Sequence, residues 1–471
     1  MIARQKMQVV NVGERVPVIR GQHPAPSQVQ GLNWAWVVFL VAHLPLALLM
    51  YGLPALATLH AIATLALGLW WAGTGRRPER VAYVGAYITG AEVIWRMAQA
   101  QLFWEFGKYA TAAICVVTIL RARKLKRPAL PFLYFVLLLP SAVLPMANLD
   151  SATLQSYLSF NLSGPLALML SAWFFSRLQL STAHLRQLFL VLIGPVLGIA
   201  SITLFATLTA SAIDFGTASN LVTSGGFGPN QVSAILGLGV LLAFLCLLDD
   251  KISWGFRGLM LGSMIFFAVQ SALTFSRGGL FNVAGSATLA SLYLIREARS
   301  RVKLVLVTAL LLMIVGFILL PRLDAFTGGA LLTRFQDTRL TGRDRFVQVE
   351  LHVWAENPIF GVGPGRATPY RAYSAHTEFS RLLAEHGVFG LSALILLLII
   401  AAQSLRRART NTGKALVVAM LGWSFLFMLS AAMRLVAPAF IFGLASATIS
   451  QTESLGPSPL DRHKEAGPQE F

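Results

Sequence analysis

Cysteine and charge are both scarce in this sequence. Its 471 residues include only two cysteines. Cys115 and Cys246 both fall inside long apolar runs, so they read as small packing residues rather than a disulfide, and they say nothing about redox compartment. Charged residues make up 12% of the chain against 56% hydrophobic, with a mean hydropathy of +0.66. A soluble domain carries about 25% charged residues, so a soluble fold is excluded. Nucleic acid is excluded as a partner by where the net charge of +18 sits, in short segments between apolar runs. No cleavable leader is apparent, because the first apolar run starts only near Asn33 and continues for about forty residues, beyond any signal-peptide core. No repeat of fixed period is visible. No paired-aspartate motif stands in the first external loop, and His352, His376 and His386 lack close zinc-ligand spacing, so no metal or other cofactor is expected.

What remains is a succession of runs, mostly of the ~17–20 residues that a bilayer core needs. They predict an all-α, polytopic integral membrane protein with about 14 spans (12–14). These fall at about 33–50, 54–72, 81–98, 107–120, 129–147, 162–177, 187–207, 229–248, 258–275, 279–295, 304–320, 388–402, 415–432 and 435–450. Lys and Arg are retained on the cytoplasmic side of short loops. With the N-terminus inside, inner segments hold 26 of the 38 basic residues, in clusters such as Arg121 to Arg127 and Arg296 to Lys303. The expected organisation is a cytoplasmic segment 1–32, spans 1–11 over 33–320, an external loop 321–387, spans 12–14 over 388–450, and a disordered cytoplasmic tail 451–471. The bilayer is thus the first partner.

The 321–387 loop is the one long polar segment between spans. It holds eight Arg, no Lys, seven carboxylates and three His. Arg presents a planar fork that grips phosphate bidentately, which Lys cannot do, so the loop reads as the chemical face of a membrane enzyme. Within it, GRDRFVQVELHVWAENP predicts an amphipathic helix with Phe346, Val349, Val353 and Trp354 on its apolar stripe, ended by Asn357-Pro358. IFGVGPG (359–365) is a glycine-rich turn; no strand precedes it, so it is not a dinucleotide fingerprint. SAHTEFSRLLAEHG predicts a second helix leading into the twelfth span, with His376 at its start, where an imidazole is biased towards its neutral form.

Three further constellations lie towards the same face. Glu92 and Arg96 stand four apart on one helix side, with Glu105 and Lys108 just beyond; they read as an interfacial ion-pair group, or as cations joining an outer site. TSGGFGPN (223–230) reads as a flexible turn with a cap, or as a helix start whose N–H groups favour an anion. Arg277, in LTFSRGGLF, follows twenty apolar or small residues and precedes a glycine pair, which suits a held guanidinium better than a snorkelling anchor.

At these residues the sequence resembles the O-antigen ligase and O-antigen polymerase superfamily, which also contains protein O-oligosaccharyltransferases. TFSRGG, GRDRF, WAENPIFGVGPG and AHTEFSRLLAEHGVFG carry the resemblance, strongest over about 225–400, and their order is more specific than any single motif. It implies transfer of an undecaprenyl-diphosphate-linked glycan to an acceptor hydroxyl at the outer face of the bacterial inner membrane. The acceptor is a lipid A-core sugar in ligases, another lipid-linked repeat unit in polymerases and a protein side chain in oligosaccharyltransferases. The family's loop histidine matches His376, although the next residue, commonly Asn, is Thr377 here. Its two arginines match Arg277 and Arg343.

The chemistry agrees with that assignment. Breaking a sugar–diphosphate bond builds negative charge on the leaving pyrophosphate, which fixed Arg donors stabilise without a metal. His376 is then the catalytic base or orienting partner of the acceptor hydroxyl, or else only a helix cap. Arg277 and Arg343 bind pyrophosphate, and Arg345, Arg366, Arg371, Arg96 and Lys108 are further candidate contacts. A flippase or transporter of lipid-linked sugars is the alternative of another class. Such proteins use broken helices and charges near the midplane, whereas here the ionisable residues of the spans lie near their ends.

Overall fold

In the computed structural model, the described residues are 34–75, 77–121, 128–143, 150–216, 218–337, 343–371 and 375–450, without the side chains of Ser151 and Arg343. The expected segments 1–32 and 451–471 lie outside them. Trp34–Gly52 (α1) and Pro54–Thr74 (α2) meet at Leu53, with Pro54 in the first turn of α2, where no N–H is required. Pro78–Met97 (α3) and Phe106–Arg121 (α4) follow. The expected fifth span is interrupted into Ala129–Val136 (α5) and Leu139–Val143 (α6). Ser151–Phe175 (α7) starts from a cap in which Asp150 accepts from the N–H groups of Ala152 and Thr153. After Gln179–Ser181 (β1) come Thr182–Thr209 (α8), Pro229–Leu247 (α9), Trp254–Leu273 (α10) and Arg277–Leu294 (α11).

Ala298–Met313 (α12) passes through a π-helical turn, Ile314–Leu319, into Leu320–Phe326 (α13). The span expected to stop at about 320 therefore continues past Pro321, which sits in the first turn of α13. Ala330–Gln336 (α14), Arg343–Glu356 (α15) and Thr368–Arg371 (α16) make up the loop. Glu378–Arg407 (α17), Asn411–Ser430 (α18), Ala437–Leu444 (α19) and Thr448–Ser450 (β2) complete the described chain.

Among the described residues nine helices are long and apolar enough to cross a membrane. The other expected spans depart from that standard for separate reasons: α3 carries charge, α4 has 16 residues, α11 begins on Arg277 and α19 has only eight residues. The last expected span, 435–450, is helical over only half its length, Ala437–Leu444, and ends in a strand. A Cβ on Gly164 would meet Met433, and one on Gly443 would meet Ser171. Gln179 pairs with Thr448 in a parallel two-stranded ladder that the all-helical expectation did not include. Because these contacts advance together, the closing segment runs parallel to α7 and on to β1.

Burial grades across the bundle. The apolar windows of α9 and α8 are 89% and 83% buried, whereas that of α1 is 22% and that of the rod 298–326 only 6%. The charge-bearing α3 is buried over most of its length, as expected of ionisable residues that must face protein rather than lipid. Close approach makes this feasible: a Cβ on Gly90 would stand 2.7 Å from the Leu192 carbonyl of α8. The end of the bundle carrying residues 327–377 is hereafter the loop end.

Candidate active site

The turn between α10 and α11 is the first part of the site. Phe275 takes a left-handed φ of 57°, a conformation that costs a non-glycine residue about 1–3 kcal/mol unless its surroundings fix it. Here they do. The ring is buried and stacks on Phe215 at 5.4 Å, and its carbonyl accepts from Arg334 Nε at 3.1 Å. Ser276 Oγ donates to Asn230 Oδ1 at 2.7 Å, tying the turn to the start of α9. Gly279 packs against the Ser233 carbonyl so closely that no Cβ fits, which explains the second glycine of the pair.

Arg277 is consequently held at the first turn of α11, where backbone N–H groups add to the guanidinium in favouring an anion. It donates to the main-chain carbonyl of Asp337. Arg334 of α14 lies close by, and burial followed by the charge of Arg277 holds its pKa below the ordinary arginine value. Asp337 lies beside them and partly offsets their charge, so two guanidinium groups and one carboxylate at a helix N-terminus leave a net cationic surface that favours an anion.

His376 is the second part. The helix after it begins only at Glu378, because Thr377 is the cap and its hydroxyl accepts from Phe379 N–H at 3.2 Å. His376 therefore precedes the cap rather than belonging to the helix. Its ring stacks on Phe346 of α15, centroids 5.1 Å apart and planes 20° off parallel. Phe346 lies three residues beyond Arg343, whose side chain falls outside the described residues.

The glycine-rich turn 359–365 has a structural role that the sequence did not disclose. α17 breaks at Gly387, at φ 58° and ψ −135°. Across that break, Val362 and Gly363 N–H donate to the carbonyls of Ala384 and Glu385, both at 3.0 Å, while Val388 N–H donates to Pro358 O at 2.8 Å. The turn thus satisfies backbone groups that the break would leave orphaned. It fixes residues 358–363 on α17.

Beneath this turn lies a buried charge network. Arg371 pairs with Glu350, with Glu385 Oε1 at 3.6 Å; Arg381 pairs with Glu378 and with Glu385 Oε2 at 2.8 Å. Ser380 donates to Glu350, and Arg381 also reaches Asn161 of α7. A second network joins α3 and α4. Arg96 pairs with Glu92 at 2.7 Å, lies over Trp104 at 4.5 Å and donates to Gln231 at 3.3 Å; Lys108 pairs with Glu105 in full burial.

Both networks grip one non-helical stretch, 431–436. Glu378 Oε2 accepts from Met433 N–H at 3.2 Å, Lys108 donates to Met433 O at 3.0 Å, and Glu92 Oε2 accepts from Val436 N–H at 2.7 Å. The stretch carries Arg434, whose Nη2 donates to the Ala375 carbonyl at 2.8 Å, one residue before His376. Just before it, Ser430 at the end of α18 approaches the residue after Arg277: a Cβ on Gly278 would stand 3.8 Å from Ser430 Oγ. Residues 430–434 therefore link the Arg277 surface to His376.

Of the residues expected at the site, Arg277 and His376 lie along this link. Arg371 is enclosed among carboxylates, Arg345 is exposed on α15, and Arg366 is half-buried after Gly365. Arg96 donates to the Trp104 carbonyl and Lys108 to the Met433 carbonyl. Arg381, Glu378 and Arg434 were not singled out from the sequence. The acid–arginine–acid spacing of 378, 381 and 385 was the available signal for two of them, and a lone arginine amid apolar residues was the signal for Arg434. Among the described residues no group of three or more His, Cys, Asp or Glu is placed to hold a metal ion.

No curated protein matches the chain. Residues 262–395 match the family model described as O-antigen ligase. That match runs from α10 through Arg277, the loop and His376 into α17; this part of the chain is similar to an O-antigen ligase domain, which supports the O-antigen ligase and polymerase superfamily.

Proposed function

We propose that the chain transfers an undecaprenyl-diphosphate-linked glycan to an acceptor hydroxyl, as an O-antigen or exopolysaccharide polymerase or an O-antigen ligase. The loop end then faces the periplasm, and the membrane is the bacterial inner membrane. The observation that carries this reading is the link from Arg277 and Arg334 along 430–434 to His376, within the matched domain.

In the mechanism, the diphosphate lies against Arg277, Arg334 and the first N–H groups of α11, with Arg343 as a further donor. As the sugar–oxygen bond breaks, negative charge grows on the leaving phosphate, and pre-oriented guanidinium groups stabilise that charge with little reorganisation. His376, steadied by its stack on Phe346, takes the proton of the acceptor hydroxyl or orients it. The new bond forms from that oxygen to the anomeric carbon, and the electron pair departs with the diphosphate. No metal is required for these steps.

The test is reconstitution of purified protein with undecaprenyl-diphosphate oligosaccharide, with and without lipid A-core. Growth on the carrier identifies a polymerase, and product only with core identifies a ligase. Movement of labelled lipid across proteoliposomes with its glycan unaltered would overturn the transferase reading in favour of a transporter. Transfer to a protein side chain would instead place the chain with the oligosaccharyltransferases.

A further inference from the structure

A cavity of about 230 Å³ opens at the loop end between α7, residues 365–371 and 375–381, and the stretch 432–434. Pockets for drug-sized ligands measure about 300–1,000 Å³, so this one suits a single small ring. Tyr157 and Phe160 of α7 supply an aromatic side, and Asn161, Arg371, Arg381 and Arg434 supply planar polar groups. Carbohydrate has the matching duality, since a pyranose ring presents C–H faces that pack on aromatics and a rim of hydroxyls that seek fixed donors and acceptors.

The charge balance separates a sugar ring from a diphosphate. Arg371 and Arg381 are already paired with Glu350, Glu378 and Glu385, and Glu378 itself lines the cavity. Three carboxylates offset the three arginines, so the space does not select a dianion. Arg277 and Arg334, the anion-seeking pair, do not line it. Position then separates acceptor from donor. Ala375 lines the cavity and its carbonyl holds Arg434, so a ring seated there lies beside the residue that precedes His376.

We propose that this cavity is the subsite for the acceptor sugar, with Tyr157 as its stacking surface and Arg434 as its hydrogen-bonding anchor. The proposal rests on the transferase reading for its choice of sugar, and the test keeps the two apart. Arg434→Ala and Tyr157→Leu are assayed with undecaprenyl-diphosphate-linked repeat unit as donor and, as acceptor, whichever of lipid A-core or a second repeat unit the wild type uses. Acceptor KM should rise about 10-fold or more, the effect of losing a hydrogen bond to a charged group. Donor KM should stay within about twofold, well short of that loss. A rise in donor KM with acceptor KM unchanged, or no change in either, would overturn the proposal. Thermal melting in detergent checks the fold, and Phe160→Ala, an exposed position, carries the test if Arg434→Ala does not fold. Should the wild type transfer nothing, the transferase reading fails, and direct binding of lipid A-core decides the subsite alone. Binding weakened about 10-fold in the variants would then support it, and equal binding would overturn it.

Discussion

Lys108 Nζ donates to the main-chain carbonyl of Met433 at 3.0 Å, across 325 positions of sequence. A fully buried ammonium therefore positions the residue beside Arg434, although it touches no substrate in the mechanism above. Lys108→Met should destabilise the protein by about 3–5 kcal/mol, since it leaves Glu105 buried without its cation. The double variant Lys108→Met/Glu105→Gln should recover much of the melting temperature but not the transfer rate. Full recovery of both would show that the tie to Met433 has no part in placing the site.

Two histidines of the loop should behave differently. His376→Ala should lose about 10²–10⁴ in rate if it is the base, while still binding the lipid-linked donor. His386 is completely buried beside the break at Gly387, so His386→Ala should lower the melting temperature while the folded fraction keeps its turnover. Equal turnover loss per folded molecule in both variants would remove the base assignment from His376.

Arg277→Lys keeps the charge but not the fork, and a point ammonium cannot grip a diphosphate in two places. Turnover at matched membrane abundance should fall about 10²–10³-fold, the usual loss for one transition-state donor. Wild-type turnover would make Arg277 a surface anchor.

Chelation offers a separate check. EDTA should leave transfer within about twofold, because loss of a true electrostatic catalyst costs about 10² or more. Abolition, with rescue by Mg²⁺ or Mn²⁺, would shift attention to Glu92, Glu105, Asp150 and Asp214.

The break in α17 is also testable. Gly387 has φ 58°, and a Cβ there would run into the Ile359 and Pro358 carbonyls. Gly387→Ala should cost at least the ~1–3 kcal/mol of backbone strain, read as a lower melting temperature. Gly258→Ala, in α10, where a Cβ meets nothing within 4 Å, serves as the control and should leave it unchanged or slightly raised, because Ala is the better helix former.

The sequence by itself determined the membrane class, the position of most helices and the resemblance of one domain to a family, because each depends on local signals. Apolar length sets a span, Asn357-Pro358 ends the loop helix at the predicted place, and the ordered motifs from TFSRGG to AHTEFS mark the domain. Arg277 and His376 stood out as candidates for the same reason. What only the tertiary structure decided is how distant polar groups were paired off. Lys108 and Glu92 looked like interfacial charges, and Arg371 like a further contact to donor or acceptor. Folding buried them against Met433, Val436 and Glu350, since charges withdrawn from water must find partners wherever the packed chain supplies them. The last span gave way to a short helix and a strand for a related reason: contacts with α7 and β1 replaced the intrahelical bonds that an isolated span would need.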